Sequence, residues 1–495
     1  MLDYNQTTKV ITNHTLQTRH LLNGILFLVS TSIIALTFNI FIIGIWVLLW
    51  VFTSRYATHT KGMGFLIFYF GIYLFYPTSS SAFYTIHSYE IVLSSTLLVF
   101  VATYHFSILK YLKGYPVIKF VFYGWIIWGV LVYSCILYVN YIHDLIFDIP
   151  YKESPFGLIT LMRDSTMLTI VIPAITAAFA MLLPVFALRN VKDFESFRAA
   201  LGKFILFLLV FSLIRYIFNI EFIPNFDEEI RFDGFRMGAF SATNPNGFGR
   251  MLIFPFIFFS SLAIYCPSKL RRYEWVTIFL MILCIMLTFS RTTYISSLTG
   301  LLVLFLLHIR KIKNNIIFIL LIFLLIAIIF TQLNLNKYFE PGTGRTSTGN
   351  LAVRLLMYEA AYKIISSNPL FGAFPGGHQI AKSNLDIPGL IYGSAHNMFL
   401  NVAVEWGLPM GILLLLALFL AFWNGIRTIQ KKWHTHIKQL YWVKAFAYAI
   451  IAISVAYLIH GITENVAPYF VFFILGLSIA IRRLLSLQQS GFYDK

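Results

Sequence analysis

Apolar residues run along this chain in long blocks rather than alternating with polar ones. Blocks of about 15–25 residues, enough to cross roughly 30 Å of hydrocarbon, lie near 21–37, 40–53, 64–86, 91–109, 117–142, 166–188, 203–222, 249–266, 274–289, 292–308, 316–330, 406–426, 442–460 and 467–483. They predict an all-α, polytopic integral membrane protein with about fourteen transmembrane helices. Leu21 to Phe52 is almost continuous; one straight helix of that length would rise about 48 Å, so a tight hairpin near Asn39 is expected.

The longest interruption is 331–395. Within it Leu351, Leu355, Tyr358, Tyr362 and Ile365 recur at helical spacing, which predicts an amphipathic helix closed by Asn368-Pro369. The Gly/Pro-rich stretch from Gly372 to Gly377 follows, which no helix would tolerate. A loop this long with its own helix reads as functional rather than as a connector. The two halves of the chain differ in loop length and show no matching broken helices, unlike a transporter built from repeats.

Composition narrows the class further. Of the 495 residues 59% are hydrophobic and 12% charged, and 50 are Phe. A soluble domain carries about twice that share of charge, so a soluble enzyme, a disordered chain and a secreted disulfide scaffold are excluded. The three cysteines stand in apolar runs at no metal-ligand spacing, so neither a zinc site nor a disulfide framework is expected. The polar stretch Met1–His20 does not lead into a short apolar segment with a cleavage site, and no removable signal peptide is expected.

The formal net charge of +17 could suggest nucleic acid, but its placement argues otherwise. With the N-terminus inside, 25 of the 37 Lys and Arg fall in cytoplasmic segments, and 15 of the 20 acids fall outside or in the membrane. That is the positive-inside distribution. Both termini are expected to be cytoplasmic and the long loop extracytoplasmic.

Four polar clusters then share the outer face. Ser241-Ala-Thr-Asn-Pro-Asn246, with Arg250 just inside the next span, reads either as a helix cap or as part of a site. Ser290-Arg291 opens another span, where the cation either snorkels to headgroups or offers a planar fork to a phosphate. Arg354 on the loop helix is either a solvated residue or a ligand. Ala395-His396-Asn397, followed by Leu400 and Glu405-Trp406-Gly407, stands at the mouth of the span at 406–426; His378 competes with His396, and nothing local separates them. Arg215, set in an apolar helix near its outer end, is functional by default unless an outer acid such as Glu221 or Glu464 pairs it structurally. Arg231 and Arg236, amid four acids, read as a solvated loop. Several arginines beside one histidine suit a diphosphate leaving group and a hydroxyl nucleophile deprotonated by imidazole. No paired outer carboxylates suggest a divalent metal, and no P-loop or Rossmann pattern suggests a nucleotide-sugar donor.

Taken in order, Asn244-Pro-Asn246, Ser290-Arg291, Arg354 leading into Asn368-Pro-Leu-Phe-Gly372, and His396-Asn397 with Leu400 and Glu405-Trp-Gly407 resemble the O-antigen ligase/polymerase superfamily. The likeness covers about Asn244 to Gly411, a third of the chain, and suggests a division into N-terminal helices 1–243, a catalytic region 244–411 and C-terminal helices 412–495. It implies a GT-C-like glycosyltransferase of the bacterial inner membrane, working at the extracytoplasmic face without metal, nucleotide or other cofactor. The implied donor is a glycan on undecaprenyl diphosphate; the acceptor is a glycan or a lipid-linked glycan, and a chain-length regulator is a possible partner. By resemblance His396, Arg291 and Arg354 are catalytic, which favours His396 over His378; Arg215, Asn246, Arg250, Asn397 and Glu405 bind substrate. The chain departs from the family at Ala373-Phe-Pro-Gly376, where glycines usually alternate. The related peptidoglycan polymerases share broad architecture, but their Gly/Pro-rich signature loop and membrane-proximal Asp are not found.

The resemblance does not choose among a polymerase of lipid-linked repeats, a ligase transferring the chain to lipid A-core, and a protein-glycosylating branch. The Phe-, Ile- and Tyr-rich composition suggests an AT-rich gene, common among surface-polysaccharide clusters, and favours the polymerase. A transporter or flippase would instead place charges along a path through the membrane, and a structural scaffold needs no convergent arginines. The enzyme reading requires His396 to lie within about 15 Å of at least one of the three arginines 215, 291 and 354.

Overall fold

The computed structural model describes residues 112, 114–137, 177, 180–218, 237, 245–312, 347–373, 385, 395–430, 441–464 and 468–489. The spans expected at 21–37, 40–53, 64–86, 91–109 and 316–330 lie outside these residues, as do Ser241–Asn244, the Arg231–Arg236 loop, Phe374–Gly377 and His378. Among the described residues the chain is helical: α1 Pro116–Leu137, α2 Val191–Phe218, α3 Pro245–Tyr265, α4 Arg272–Leu287, α5 Arg291–Ile312, α6 Ser347–Ser367, α7 Met398–Trp406, α8 Leu408–Gln430, α9 Tyr441–Thr463 and α10 Pro468–Gln489. Five of them (α2, α3, α8, α9 and α10) contain stretches long and apolar enough to cross a membrane.

Their surfaces fit a bilayer. Along α8 the exposed large side chains are Leu408, Ile412, Leu415, Phe419 and Trp423, and along α1 they include Phe120, Ile127 and Leu131. Each set repeats at helical spacing, forming an apolar stripe on the side turned away from the protein. Contiguous stripes of this kind would be costly in water and cost nothing against lipid.

Helices α3, α5 and α9 form the centre of the described bundle, with α9 antiparallel to the other two. Near one end the Tyr457 hydroxyl donates to the Arg250 carbonyl, and near the other the Ser261 hydroxyl donates to that of Ala445. Similarly, Ser296 meets His460 while the His308 ring packs on Tyr448. Small residues allow the close approach: a β-carbon at Gly249 would collide with Thr293, and one at Gly300 with Ile257. In lipid, where apolar side chains gain little from leaving the solvent, such backbone proximity is a main source of helix association. Edge-to-face contacts of Phe254 with Phe470 and Phe473, and of Phe258 with Phe446, fill the space beside them. The three cysteines are free thiols.

Helix α2 begins at Val191, about three turns before the apolar run near 203. Its charged start is held by a tertiary partner. Arg198 is buried and forms a fork with Glu274 on α4, donating also to the Lys269 carbonyl, while the Arg271 amide donates to the same carboxylate at 2.7 Å. Hydrophobicity alone could not have located this helix start.

The loop helix is present as α6, but its buried face is rotated from the expected stripe. Met357, Ala360, Ala361 and Ile364 are buried, Tyr358 and Ile365 pack at their margin, and Leu355 and Tyr362 are exposed. Small alanines could be covered by Ala395 and Val404 where larger side chains would have held α7 away.

Candidate functional site

The end of α9 organises the site. A helix C-terminus leaves its last carbonyls without intrahelical partners, and α6 supplies them. The Arg354 guanidinium donates through Nη1 to the Thr463 carbonyl at 3.0 Å, and the Tyr358 hydroxyl donates to that of Ile462 at 3.0 Å. These residues lie one turn apart on α6, so both reach the same helix end. A cation there also complements the negative end of the helix dipole.

The next residue, Glu464, continues the turn by donating its amide to the His460 carbonyl at 2.8 Å. Its carboxylate is bound from two sides: His396 Nδ1 lies 3.3 Å from Oε2, and Arg354 Nη2 lies 3.7 Å from Oε1. His396 and Arg354 therefore occupy opposite oxygens of one side chain, inside the separation the enzyme reading requires. Burial pushes the Glu464 carboxyl up, but the His396 hydrogen bond and the pull of His396, His460 and Arg354 outweigh it and hold the group below the usual carboxylate value.

Local geometry fixes His396. Its φ is +44, a left-handed conformation uncommon among non-glycine residues, though histidine adopts it more readily than most. The residues on either side are anchored. The Ala395 amide donates to Asn401 Oδ1 at 2.8 Å, and Asn397 is the N-cap of α7, its Oδ1 accepting from the amides of Phe399 and Leu400. Asn is among the strongest N-caps, so Asn397 holds the backbone that presents the imidazole. Asn401, absent from the sequence-based set, completes this clamp; its i+4 spacing from Asn397 was the available signal.

One turn below Glu464, His460 is buried. Its Nδ1 is 3.4 Å from the Ser296 hydroxyl, and the ring also bonds the Thr292 backbone and feels the Arg250 charge. Arg250 and the first turn of α5 are thus brought to the same end of the bundle as His396. Arg291, the residue before Thr292, is exposed there. Ser290 bonds the Thr293 hydroxyl at 3.0 Å, an arrangement suited to starting α5. Asn246 follows Pro245, the first residue of α3, a position that proline favours.

Arg215 lies in the last turn of α2, which packs chiefly against α4; of the two acids offered as its partner, Glu464 contacts His396 and Arg354, and Glu221 lies outside the described residues. Glu405 is half-buried near the far end of α7, where removal from water pushes its carboxyl up to about 7.

The Asn368-Pro-Leu-Phe-Gly372 and Glu405-Trp-Gly407 segments interlock. The Leu408 amide donates to the Pro369 carbonyl at 2.8 Å and the Ala373 amide to that of Val404 at 2.6 Å. Gly372 and Gly407 have φ of +67 and +84, and a β-carbon on either would collide with the other segment's backbone. Of the departure from the family pattern at Ala373-Phe-Pro-Gly376, only Ala373 is among the described residues. Trp128 of α1 closes the assembly, donating to the Trp406 carbonyl at 3.0 Å and stacking on Phe371.

The fold and its site define a helical, polytopic integral membrane protein with a polar cluster assembled at one end of its bundle. The model of the family described as O-antigen ligase matches residues 276–416, and over this segment the chain is similar to that family. A comparison with curated proteins gives no match. The matched segment carries Arg291, Arg354, His396, Asn397 and Glu405; Arg250, His460 and Glu464 lie outside it and are added by folding.

Proposed function

We propose that this protein is a bacterial inner-membrane glycosyltransferase that polymerises oligosaccharide repeats carried on undecaprenyl diphosphate at the extracytoplasmic face. Similarity to a glycosyl-transferring family supports the enzyme class, and nothing in that match favours a flippase. The observation that carries the reading is the pairing of His396 and Arg354 on one carboxylate, a base candidate beside a phosphate fork. Fourteen spans with both termini cytoplasmic, and a catalytic region over 244–411, complete the proposed organisation.

In this scheme the donor diphosphate lies against Arg291 and Arg354, with Arg215 and Arg250 deeper and Asn246, Asn397 and Glu405 lining the substrates. An acceptor hydroxyl gives its proton to His396 and attacks C1 of the donor sugar with inversion. The C1–oxygen bond breaks, and its electron pair leaves on undecaprenyl diphosphate. Arg354 uses two guanidinium nitrogens on α9 and Glu464, but the group carries five N–H donors, and its side chain is 31% exposed, so donors remain for phosphate. No metal is invoked. A ligase that transfers the finished chain to lipid A-core uses the same donor chemistry and is the alternative; a chain-length regulator is a proposed partner only of the polymerase.

Gel profiling of surface glycans in a deletion strain tests this, with complementation by the wild type, His396→Ala or Arg291→Ala. Single repeats on the acceptor lipid, with the ladder gone, identify a polymerase. Long chains stranded on undecaprenyl diphosphate, with all capped forms lost, identify a ligase. Full activity from both variants refutes the catalytic assignment.

A further inference from the structure

Glu464 belongs neither to the matched segment nor to the residues that the motifs select, yet more of the site converges on it than on any of those. It is the first residue beyond α9, and its amide and side chain have separate partners. The amide bonds back to His460, while the neighbouring Thr463 hydroxyl bonds the Ile459 and His460 carbonyls at 3.1 Å. The backbone that carries the carboxylate is therefore anchored to a packed helix, and the side chain is only 15% exposed. A carboxylate shielded in this way interacts with its partners more strongly than one in water.

We propose that Glu464 is the positioning residue of the transfer site, holding His396 through Nδ1 so that Nε2 takes the acceptor proton, and setting the distance between that base and the Arg354 fork. The inference rests on the proposed glycosyltransferase reading and deepens it. A neutral imidazole carries one N–H, and an ionised carboxylate can only accept. The contact at Nδ1 therefore selects the tautomer with its proton there and its lone pair on Nε2. As the acceptor hydroxyl bonds to C1, its proton moves to Nε2, and the imidazolium that forms lies directly against the Glu464 charge. The same division of labour between an acid and a histidine operates in serine hydrolases. A separation of 3.3 Å is long for such a bond, as is usual before substrate draws a catalytic group into place. The second oxygen has its own task. Arg354 is already tied to α9 through Thr463, and Glu464 orients the other side of its guanidinium, so one residue aligns the proton acceptor and the phosphate donors.

The test uses the full-length protein, purified in detergent, with lipid-diphosphate-linked oligosaccharide extracted from the deletion strain. Glu464→Gln should lower kcat roughly 10–100-fold, the range for loss of a group that orients a catalytic ligand, while KM for the donor changes less than about threefold. Glu464→Asp should recover most of the rate, and the Glu464→Gln, His396→Ala double variant should lose much less than the product of the two single losses, leaving only the part that acts through Arg354, because Glu464 and His396 are coupled. In wild-type protein labelled with 15N-histidine, the His396 resonances, assigned by their loss in His396→Gln, should report the Nδ1–H tautomer. Wild-type kcat in Glu464→Gln, or an Nε2–H tautomer at His396, overturns the inference while leaving the base in place. Wild-type kcat in His396→Ala overturns the reading beneath it. The tautomer measurement decides the matter even if the Glu464 variants do not fold.

Discussion

Gly407 lies against the backbone of Leu370, whose carbonyl oxygen fills the space a β-carbon at 407 would need. The same glycine has a φ of +84, so two independent constraints meet at one residue. Gly407→Ala should abolish the interlock between the two segments and greatly reduce folded protein in the membrane. Gly114 provides the control: its φ is +103, but a β-carbon added there would meet no atom within 4 Å. Gly114→Ala should cost only backbone strain, about 1–3 kcal/mol. Membrane abundance and thermal unfolding of the two variants in detergent separate collision from strain.

Tyr358 and Arg354 fasten the loop helix to α9 through carbonyls that otherwise lack partners. Tyr358→Phe removes one neutral hydrogen bond at an accessible position and should cost about 0.5–1.5 kcal/mol. Limited proteolysis should then cut the 331–395 loop faster while glycan transfer persists. Arg354→Ala should speed proteolysis as well and should also abolish transfer. Equal transfer losses in both variants would assign Arg354 to anchoring alone.

Glu405 predicts a pH effect of defined sign. Its carboxyl is raised from 4.5 to about 7, so the folded protein holds this proton more tightly than the unfolded chain does. The stabilisation is complete below about pH 4.5 and is lost as pH rises through about 7. Glu405→Gln, which is neutral throughout, should therefore melt above the wild type at pH 8 and approach it as pH falls to about 4. Melting curves across that range check the prediction, and transfer assays on the same variant test its proposed contact with substrate.

Arg198 and Glu274 form an ion pair with side-chain exposures of 10% and 1%. Removing one partner leaves a buried charge without compensation, which costs about 3–5 kcal/mol. Arg198→Ala should lower the unfolding midpoint sharply, and Arg198→Met with Glu274→Leu should recover part of the loss. A single variant as stable as the wild type would mean that water reaches this pair.

Much of the fold was legible because burial in a membrane is a local, one-dimensional requirement. The apolar runs at 249–266, 274–289, 292–308 and 442–460 locate α3, α4, α5 and α9 to within a few residues. Where polar partners rather than lipid set the boundary, the reading fell short. The start of α2 depends on Glu274, 76 positions away from Arg198. The break at Gly407, which separates α7 from α8, depends on Leu370. The loop helix was correctly placed, but its face was not, because alanines carry little weight in an apolar pattern yet permit the closest packing.

The sequence by itself determined the helical membrane class, the described apolar helices to within a few residues, and the histidine and arginines whose motifs resemble the O-antigen ligase family. Each follows from interactions within a turn or a span, or from residue types in a fixed order. Only the tertiary structure decided which charged groups meet. His396 and Glu464 lie 68 positions apart, and Arg354 and Thr463 lie 109 apart. No periodicity encodes those pairings; they exist because one face of α6 and the start of α7 meet the end of α9, whose last carbonyls have no partners within the helix.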